Sequence, residues 1–541
     1  MAIQSSAAAI PQRIEPATAK REERRVIFAS SLGTVFEWYD FYLYAVLAPY
    51  FASLFFPPGN NTAALMGSFG AYAAGFLVRP FGALVFGRVG DIVGRKYTFL
   101  VTITVMGLST AAVGFMPTYA SIGMASPIIL VLLRLVQGLA LGGEYGGAAT
   151  YVAEHAPDDK RGLHTSWIQT TATVGLFVSL LVIGACRAEL EESSFKSWGW
   201  RIPFILSLVL LVISVYIRLK LNESPVFLRM KAEGKGSKAP LAESFGQWPN
   251  LKIVLIALFG ATAGEGVVWY AGQFYALFFL TNAMKVDWKT AYTIIAVAIA
   301  LGTPLFVFFG WLSDRIGRKN IMMIGCVLAA ITYFPLYKAM MHFGNPALET
   351  FAANTPISVT ATDCQMHFFP NPTTKFTPCD KVQDFLSKKS LSFATTEGAA
   401  GSEPVTKIKD TTITGWDEKK FNDTLKSLNY PAKANPDNVN IFMLTLLVLI
   451  QVIYVTMVYG PIAAFLVELF PTRIRYTSMS LPYHIGNGWF GGMLPLTATV
   501  LVATTGNIYA GLWYPVIVAA ISFVLGMVLI RETKDHKIHV V

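Results

Sequence analysis

The sequence predicts an all-α membrane protein with twelve transmembrane helices in two pseudo-symmetric six-helix halves, and a small extracytoplasmic insertion between helices 9 and 10. Hydrophobic residues make up 54% of its 541 residues and charged residues only 14%, whereas a soluble domain carries about 25% charge. The mean hydropathy is +0.50. In addition, apolar segments of spanning length recur along the chain, and a charged loop motif occurs twice. This composition excludes a soluble multidomain enzyme and a disordered protein.

Twelve apolar segments are long enough to cross a bilayer, which takes roughly 20 residues in a helix. Helices 1 to 6 are predicted at 26–55, 63–87, 97–116, 127–153, 163–186 and 201–219. Helices 7 to 12 are predicted at 253–282, 290–311, 320–341, 440–469, 477–503 and 509–530. No cleaved signal peptide is visible, so we expect helix 1 to serve as the insertion signal.

The distribution of Lys and Arg predicts the orientation, because cytoplasmic loops are enriched in these residues. The tail 1–25, the linker 220–252, the loops after helices 2, 4, 8 and 10, and the tail 531–541 are basic, which places both termini in the cytoplasm. The halves are then 26–219 and 253–530, the latter including an insertion at 342–439 outside the cytoplasm. The opposite loops hold few basic residues, namely Arg187, Lys196, Arg201, Lys285 and Lys289.

An internal repeat supports the two-half organisation. The loop after helix 2 reads GRVGDIVGRK at 87–96, and the loop after helix 8 reads GWLSDRIGRK at 310–319. A second pair, EHAPDDKR at 154–161 and ELFPTRIR at 468–475, follows helices 4 and 10. The two members of the second pair lie farther apart than those of the first, which locates the insertion after helix 9.

Two parallel six-helix repeats are the organisation of major facilitator transporters, and the doubled Gly-x-x-x-Asp-x-x-Gly-Arg-Lys loop resembles the signature of that superfamily. More local motifs resemble its metabolite:proton symporter family. They are GTVFEWYDF at 33–41, RPFG at 79–82, RLVQG at 134–138, GGEYGG at 142–147 and YGP at 459–461.

The resemblance implies a proton-coupled symporter that imports a small carboxylate-bearing metabolite by alternating access. Its partners would be the substrate, protons and the lipid bilayer, with no nucleic acid and no cofactor beyond the proton gradient. We expect a monomer in a bacterial inner membrane. The alternatives are an osmolyte symporter for proline or betaine and a non-transporting nutrient sensor of the same fold. A membrane enzyme is disfavoured, because no catalytic constellation or metal-ligand spacing stands out.

The repeated loops predict a cytoplasmic gate, since an acid can accept hydrogen bonds from the amides at a facing helix N-terminus and pair with a nearby Arg. The alternative is that these basic loops only set the topology. The loops at 87–96 and 310–319 contribute Gly87, Asp91, Gly94, Arg95, Gly310, Asp314, Gly317 and Arg318. Two Glu/Arg pairs are assigned to the same gate, Glu154 with Arg161 and Glu468 with Arg475.

Ionisable residues inside the membrane are functional candidates, because burying one costs at least roughly 2.5–3.5 kcal/mol. Glu37 and Asp40 share a face of helix 1 and repel each other, which favours a site that takes up and releases a proton. The alternative is permanent pairing with an arginine. Arg134 matches the coupling arginine of many proton-driven relatives, whereas Arg79, with Gln137 of helix 4, is assigned to substrate binding.

Helices 7 and 11 supply the other predicted substrate contacts. Glu265, Trp269 and Gln273 follow one another at helical spacing, with Tyr270 beside them. Aromatic residues at this spacing also suit simple packing. His484 is a candidate because histidine exchanges protons near neutral pH, although a lone histidine is more often a core residue.

The insertion contains two cysteines, Cys364 and Cys379, which an oxidising periplasm would join in a disulfide. Trp416, Phe421, Leu425 and Leu428 form an apolar helical stripe. We therefore expect a small disulfide-tied cap with at least one helix. It is either a lid or partner site, or a tolerated loop insertion without a role.

Overall fold

The computed structural model describes residues 16–58, 61–220, 223–362, 364–365, 367, 374–399 and 401–538. Long helices dominate, and eleven of them are apolar and long enough to cross a membrane within these ranges. They follow helix 1, Pro16–Phe55. Helices 2 to 12 are Ala63–Ile92, Lys96–Gly114, Ala125–His155, Asp158–Glu189, Arg201–Leu219, Trp248–Ala283, Trp288–Ile316, Arg318–Gly344, Ile441–Leu469, Arg475–Thr505 and Ala510–Leu529.

Helix 1 begins at Pro16, well before the predicted start at residue 26. The added turns cover an Ala-, Arg- and Glu-rich stretch, and these residues favour helix in any solvent. Hydropathy marks only the apolar part of a helix, so the predicted start of helix 1 is too late. Two short helices, Pro225–Ala232 and Pro240–Phe245, lie in the linker between the halves.

Several membrane helices are irregular where the halves meet. Helix 2 is interrupted at Val78, directly before Arg79-Pro80, because a proline is accommodated at the first turn of a new helical segment. Helix 11 contains Pro482 and widens into a π-helical turn at Ile485–Gly491. Helix 7 has three such turns, at Leu258–Thr262, Ala271–Tyr275 and Phe279–Ala283. π-Turns often occur at functional sites.

The two halves pack through helix 5 against helix 8 and helix 2 against helix 11. Gly310 permits the first contact, because a Cβ built there would lie 2.7 Å from the carbonyl oxygen of Gly162 in the other half. A larger residue would push the helices apart. The end of the molecule that carries the repeated loops is called the charged-loop end below.

At the opposite end, the described residues between 345 and 440 form a folded unit, called the cap, between helices 9 and 10. Its four-stranded sheet has the order β2-β1-β3-β4, with β1 and β2 parallel and the other pairs antiparallel. The strands are Ile357–Ala361, Ala394–Glu397, Val405–Ile408 and Thr411–Thr414. Three α-helices accompany the sheet, at Pro346–Asn354, Pro378–Lys388 and Glu418–Ser427.

The cap helix, Pro378–Lys388, and helix Glu418–Ser427 share a small apolar core. Phe385, Trp416 and Phe421 are in ring contact, with centroids 5.4 to 5.7 Å apart. Cys379 at the start of the cap helix is joined by a disulfide to Cys364, which lies shortly after β1. Sequence analysis did not predict the sheet, because its strands are four or five residues long and carry little periodic signal.

Lys285, in the turn between helices 7 and 8, holds the end of the cap helix. Its ammonium group donates to the carbonyl oxygen of Lys388 at 2.8 Å. Burial, then the nearby charges of Lys389 and Lys388, lower the pKa of Lys285 to about 8. The structure therefore accommodates the neutral amine more readily than the cation.

We expect Lys285 to be acylated with a midpoint near pH 8, because only the neutral amine is nucleophilic. Since its folded-state pKa lies below the unfolded value of 10.5, cap docking should strengthen as the pH rises from about 8 to 10.5. Competitive labelling followed by peptide mass spectrometry measures the midpoint. Lys388→Met/Lys389→Met should raise it, and a native midpoint near 10.5 would contradict the assignment.

Candidate functional site

Two acids at the charged-loop end bind helix N-termini of the opposite half. Asp314 accepts from the backbone amides of Gly162 and Leu163, both at 2.8 Å, at the start of helix 5. Asp91 accepts from the amide of Thr477 at 2.9 Å and from its hydroxyl at 2.7 Å, at the start of helix 11. A helix N-terminus carries partial positive charge, so each acid closes an inter-half contact.

The two Glu/Arg pairs cross between the halves instead of pairing within their own loops. Arg161 of the N-terminal half donates to Glu468 of the C-terminal half at 2.7 Å. Arg475 of the C-terminal half donates to Glu154 of the N-terminal half at 3.0 Å. All four side chains are buried, and the within-loop pairing suggested by sequence order is wrong. This crossing ties the halves together, because both bonds must break before they separate.

Arg318 extends this network within the C-terminal half. Its guanidinium contacts Asp314 at 2.7 Å and Glu468 at 3.1 Å, so both acids are held by one arginine. The corresponding side chain in the first repeat, Arg95, lies outside the described residues. Gly94 and Gly317 start the following helices with φ of 145° and 105°, a conformation that favours glycine.

Sequence analysis missed a third repeated element of this end. After helix 6, Glu223 accepts from the amide of Lys96 at 3.2 Å, and Ser224 donates its hydroxyl to Glu154. After helix 12, Glu532 accepts from the amide of Arg318 at 2.8 Å, and Thr533 donates to Glu468 at 2.6 Å. The signal was a Glu followed by a hydroxyl residue after the last helix of each half.

The C-terminal tail also reaches the N-terminal half. The carbonyl oxygen of His536 accepts from Arg161 at 3.1 Å, and the amide of Ile538 donates to Asp158 at 3.4 Å. The tail therefore contacts both halves across the charged-loop end.

Deeper between the halves, helix 1 and helix 7 meet through stacked aromatic rings. The ring of Trp269 lies 6.1 Å from Trp38 and 5.7 Å from Tyr42, nearly parallel to the latter. Tyr270 contacts Phe76 of helix 2 edge-on at 5.5 Å. The rings are buried. Trp269 and Tyr270, which are predicted substrate contacts, both face the other half.

Arg79 lies at the break in helix 2, within this aromatic cluster. Its guanidinium carbon is 3.9 Å from the ring centre of Phe76 and 4.5 Å from that of Phe41. Its Nε and Nη2 are buried and have no hydrogen-bond partner among the described residues. Gly488 of helix 11 lies beside the side chain, since a Cβ built there would be in ordinary van der Waals contact with Cδ, at 3.8 Å. Arg79 is therefore a buried cation at the boundary between the halves.

Glu265 of helix 7 is a buried acid of the C-terminal half. One carboxylate oxygen accepts from Asn487 of the helix 11 π-turn at 2.6 Å. The other is buried without a partner in the described part of the chain. Next to helix 11, the ring of Tyr145 stacks on Tyr483 at 3.4 Å, and the hydroxyls of Tyr483 and Tyr459 are 2.7 Å apart.

Asp40 is buried on helix 1, and its Oδ1 has no hydrogen-bond partner within the described ranges. No described residue forms a salt bridge with it. The backbone of Glu37 is helical, but its side chain lies outside the described residues. The structure therefore does not bring Asp40 together with Arg79 or Arg134.

Arg134 and Gln137 are hydrogen-bonded to each other inside the N-terminal half, while Nε and Nη2 of Arg134, like those of Arg79, have no partner among the described residues. Arg134 donates to the amide oxygen of Gln137, whose amide nitrogen donates to Thr110 at 2.6 Å. The guanidinium also lies 4.4 Å from the ring centre of Tyr44. Both the oxygen and the nitrogen of the Gln137 amide therefore have hydrogen-bond partners. This arrangement suits a residue that orients Arg134 better than a residue that contacts substrate.

Gln273 and His484 complete the predicted set. Gln273 donates to Thr173 of helix 5 across the halves at 3.4 Å, and its amide oxygen has no partner among the residues described. His484 is buried beside Tyr483, and its ring nitrogens likewise have no partner in the described structure. Both face the boundary between the halves.

Comparison with known proteins identifies the family. Two family descriptions match the chain, "Sugar (and other) transporter" at residues 26–255 and "MFS/sugar transport protein" at residues 145–366. The alpha-ketoglutarate permease of Escherichia coli (strain K12) is 35% identical over 331 residues, which are 61% of this chain and 75% of that protein. The chain belongs to the major facilitator superfamily, in its metabolite:proton symporter family.

Two further relatives are also named as transport proteins. The inner membrane metabolite transport protein YhjE of E. coli (strain K12) is 37% identical over 60% of this chain and 74% of that protein. A putative proline/betaine transporter of Staphylococcus haemolyticus (strain JCSC1435) is 28% identical over 94% of this chain and 87% of that protein. The facilitator is thus a membrane transport protein and not an enzyme.

Solved structures agree with the fold. The proton:xylose symporter XylE of E. coli matches the facilitator with a TM-score of 0.66 over 96% of this chain and 98% of that chain, at 16% identity. The predicted twelve-helix, two-half architecture is confirmed.

Proposed function

We propose that this facilitator is a proton-coupled symporter that imports a small carboxylate-bearing metabolite by alternating access. In this proposal the charged-loop end and both termini lie in the cytoplasm, and the cap lies outside it. The transporter acts as a monomer and needs no cofactor besides the proton gradient. One observation carries the proposal, namely the buried guanidinium of Arg79 with two donor atoms unused by described residues.

A guanidinium suits a carboxylate because its donors form a planar fork that binds both carboxylate oxygens. Leaving such a cation buried without an acid is costly, and a bound anion would remove that cost. Phe41 and Phe76 hold the guanidinium plane and exclude water from it. Glu265, Gln273 and His484 supply additional polar groups on the opposite half for the rest of the molecule.

Asp40 supports the proton-coupling part of the proposal. A buried carboxylate without an ion pair carries a large penalty when charged, and protonation removes that penalty. A carboxyl group in this position can therefore bind a proton before the halves rearrange and release it when water reaches it. Glu37 and Arg134 are assigned to proton coupling together with Asp40, and Arg134 forms no salt bridge with Asp40 in this closed state.

Contacts at both ends support alternating access. The charged-loop end is held by the crossed Glu/Arg pairs and the two Asp contacts, and the cap end by aromatic contacts such as Phe69 with Phe278 at 5.3 Å. The structure therefore corresponds to a closed state, from which the halves would rock open on either side.

One observation favours the second candidate, a zwitterionic osmolyte such as proline or betaine. The stacked rings of Trp38, Tyr42 and Trp269 offer aromatic faces of the kind that bind quaternary ammonium groups. Glu265 would add a negative charge on that side. A zwitterion would then place its carboxylate at Arg79 and its cationic group toward helix 7.

The proposal is tested in proteoliposomes that contain a pH-sensitive dye. Each compound of a panel is added outside, with 2-oxoglutarate, citrate and shikimate representing carboxylates and proline and betaine representing zwitterions. The Glu37→Gln/Asp40→Asn variant is the matched control. Internal acidification by one carboxylate, absent in the control variant, is the expected result.

The other outcomes are equally specific. Acidification by betaine or proline alone would replace the carboxylate with a zwitterion as the substrate class. Isotope uptake without a proton signal would establish uniport and refute coupling. Binding without uptake of any compound would favour a sensor that kept the fold.

A further inference from the structure

The cap is bonded to the C-terminal half of the molecule. Lys285, in the turn between helices 7 and 8, donates to the carbonyl of Lys388, and Ser390 donates its hydroxyl to the carbonyl of Asn282 at 2.9 Å, in the last turn of helix 7. The amide of Phe393 donates to Gly506 at 2.9 Å, in the turn between helices 11 and 12. These bonds attach the cap to two separate turns of one half, so it moves with that half.

A further bond comes from the other side of the cap. The amide of Ala434 donates to the carbonyl of Lys285 at 3.2 Å. The disulfide between Cys364 and Cys379 links the cap helix to the segment after β1. The cap helix, the sheet and the attachment points therefore form one body.

The same cap helix also contacts the N-terminal half. It packs against the outer part of helix 2 and against helix 11 at once, between the two halves. A cavity at this junction is lined by Ala63 and Met66 of helix 2, by Gln383 and Ser387 of the cap helix, and by Ala503 of helix 11. The cap helix thus spans the seam where helices 2 and 11 would separate.

We propose that the cap is a lid that travels with the C-terminal half and closes the cap end by docking its helix Pro378–Lys388 on helix 2. This inference rests on the proposed alternating access. When the halves rock apart at this end, the cap helix must leave helix 2, because the cap is bonded to the end of helix 7 and to the turns that follow helices 7 and 11 in the C-terminal half. The contact with helix 2 is therefore broken and remade in every transport cycle.

Two cysteine pairs from the same cavity test the lid. Met66→Cys/Gln383→Cys links helix 2 to the cap helix across the halves, and Gln383→Cys/Ala503→Cys links the cap helix to helix 11 within one half. Both pairs are placed in a Cys186→Ser/Cys326→Ser background, which removes the free thiols. A short bifunctional thiosulfonate forms each link, and a reductant reverses it.

Linking Met66→Cys to Gln383→Cys should lower uptake by more than about tenfold, since a covalent tether stops rigid-body rocking at this end. Reduction should restore uptake to the level of the unlinked variant treated with the same reductant, a reference that is needed because the reductant also opens the Cys364–Cys379 disulfide. The Gln383→Cys/Ala503→Cys link should leave uptake nearly unchanged. Full uptake by the linked Met66→Cys/Gln383→Cys protein would overturn the proposal.

Pulsed electron paramagnetic resonance provides a readout that does not need transport. Spin labels at positions 66 and 383 should show a short and a long distance population, whereas labels at 383 and 503 should show one. A single invariant distance between 66 and 383 would also overturn the lid. Two distance populations in a protein whose native form takes up no compound of the panel would leave the lid standing and would count against the proposed symport.

Discussion

Glu468→Gln should release the charged-loop end and increase the population open on that side. Glu468 receives Arg161 from the other half at 2.7 Å and Arg318 from its own half at 3.1 Å, with all three side chains fully buried. Removing one partner of a buried pair costs about 3–5 kcal/mol, which corresponds to a shift of about a hundredfold or more in the equilibrium between closed and open states.

The measurement is thiol labelling of Ser166→Cys. Ser166 is buried where helix 5 meets Gly310 of helix 8, and a maleimide reaches it only when these helices separate. Labelling should rise strongly in Glu468→Gln. Substrate uptake should fall because the state closed at the charged-loop end is less populated. Labelling equal to that of the Ser166→Cys protein alone would show that Glu468 does not hold the gate.

Glu243→Gln is the matched control for this experiment. Glu243 pairs with Arg473 at 2.5 Å at the same end of the molecule, but the side chain of Arg473 is 55% exposed. Exposed ion pairs contribute about 0–1 kcal/mol. This variant should therefore label like the parent, which separates the loss of a buried inter-half bond from the loss of any Glu/Arg pair.

Arg79→Gln should abolish substrate binding while the protein remains folded. If Arg79 holds the substrate carboxylate, removing it costs about 2–5 kcal/mol of binding, a loss of about thirtyfold or more in affinity. Arg79→Lys should recover part of this affinity, because an ammonium group keeps the charge but not the fork of donors. Thermal stabilisation by the substrate found in the uptake panel measures the effect independently of transport.

Arg134→Gln is the control for Arg79→Gln. Both arginines are buried in the N-terminal half and contact aromatic rings, but Arg134 is engaged by Gln137. We expect Arg134→Gln to retain thermal stabilisation by the substrate and to lose proton movement. If the substrate stabilised Arg79→Gln as strongly as the native protein, Arg79 would be an internal pairing residue and the carboxylate assignment would fail.

Loop positions were the most predictable part of the charged-loop end, because they recur. The repeats at 87–96 and 310–319 place Asp91 and Asp314 at equivalent points, and both meet helix N-termini of the opposite half. The partners of Glu154 and Glu468 could not be obtained in this way. A linear repeat gives each acid a nearby arginine, whereas the pseudo-symmetric packing brings the arginine of the other half closer.

The central site was predictable only as a list of residues. Burial cost singles out Arg79, Asp40 and Glu265 from the sequence alone. Their partners depend on helix rotation and on the irregular turns of helices 7 and 11, which follow from packing between halves rather than from local preference. For this reason the pairing of a helix 1 acid with an arginine, which was the alternative to proton coupling, is not observed for Asp40, while the contact of Glu265 with Asn487 was not anticipated.

The amino-acid sequence was sufficient for the membrane spans, the two-half repeat and the family, because bilayer thickness and hydropathy act on each segment locally. Long-range packing decided the crossed ion pairs, the sheet inside the cap and the position of the cap helix between helices 2 and 11. Those features join residues hundreds of positions apart, such as Arg475 with Glu154. Such contacts form only when the two halves pack together. Their free energy depends on residues from distant parts of the chain, so no local segment of the sequence predicts them.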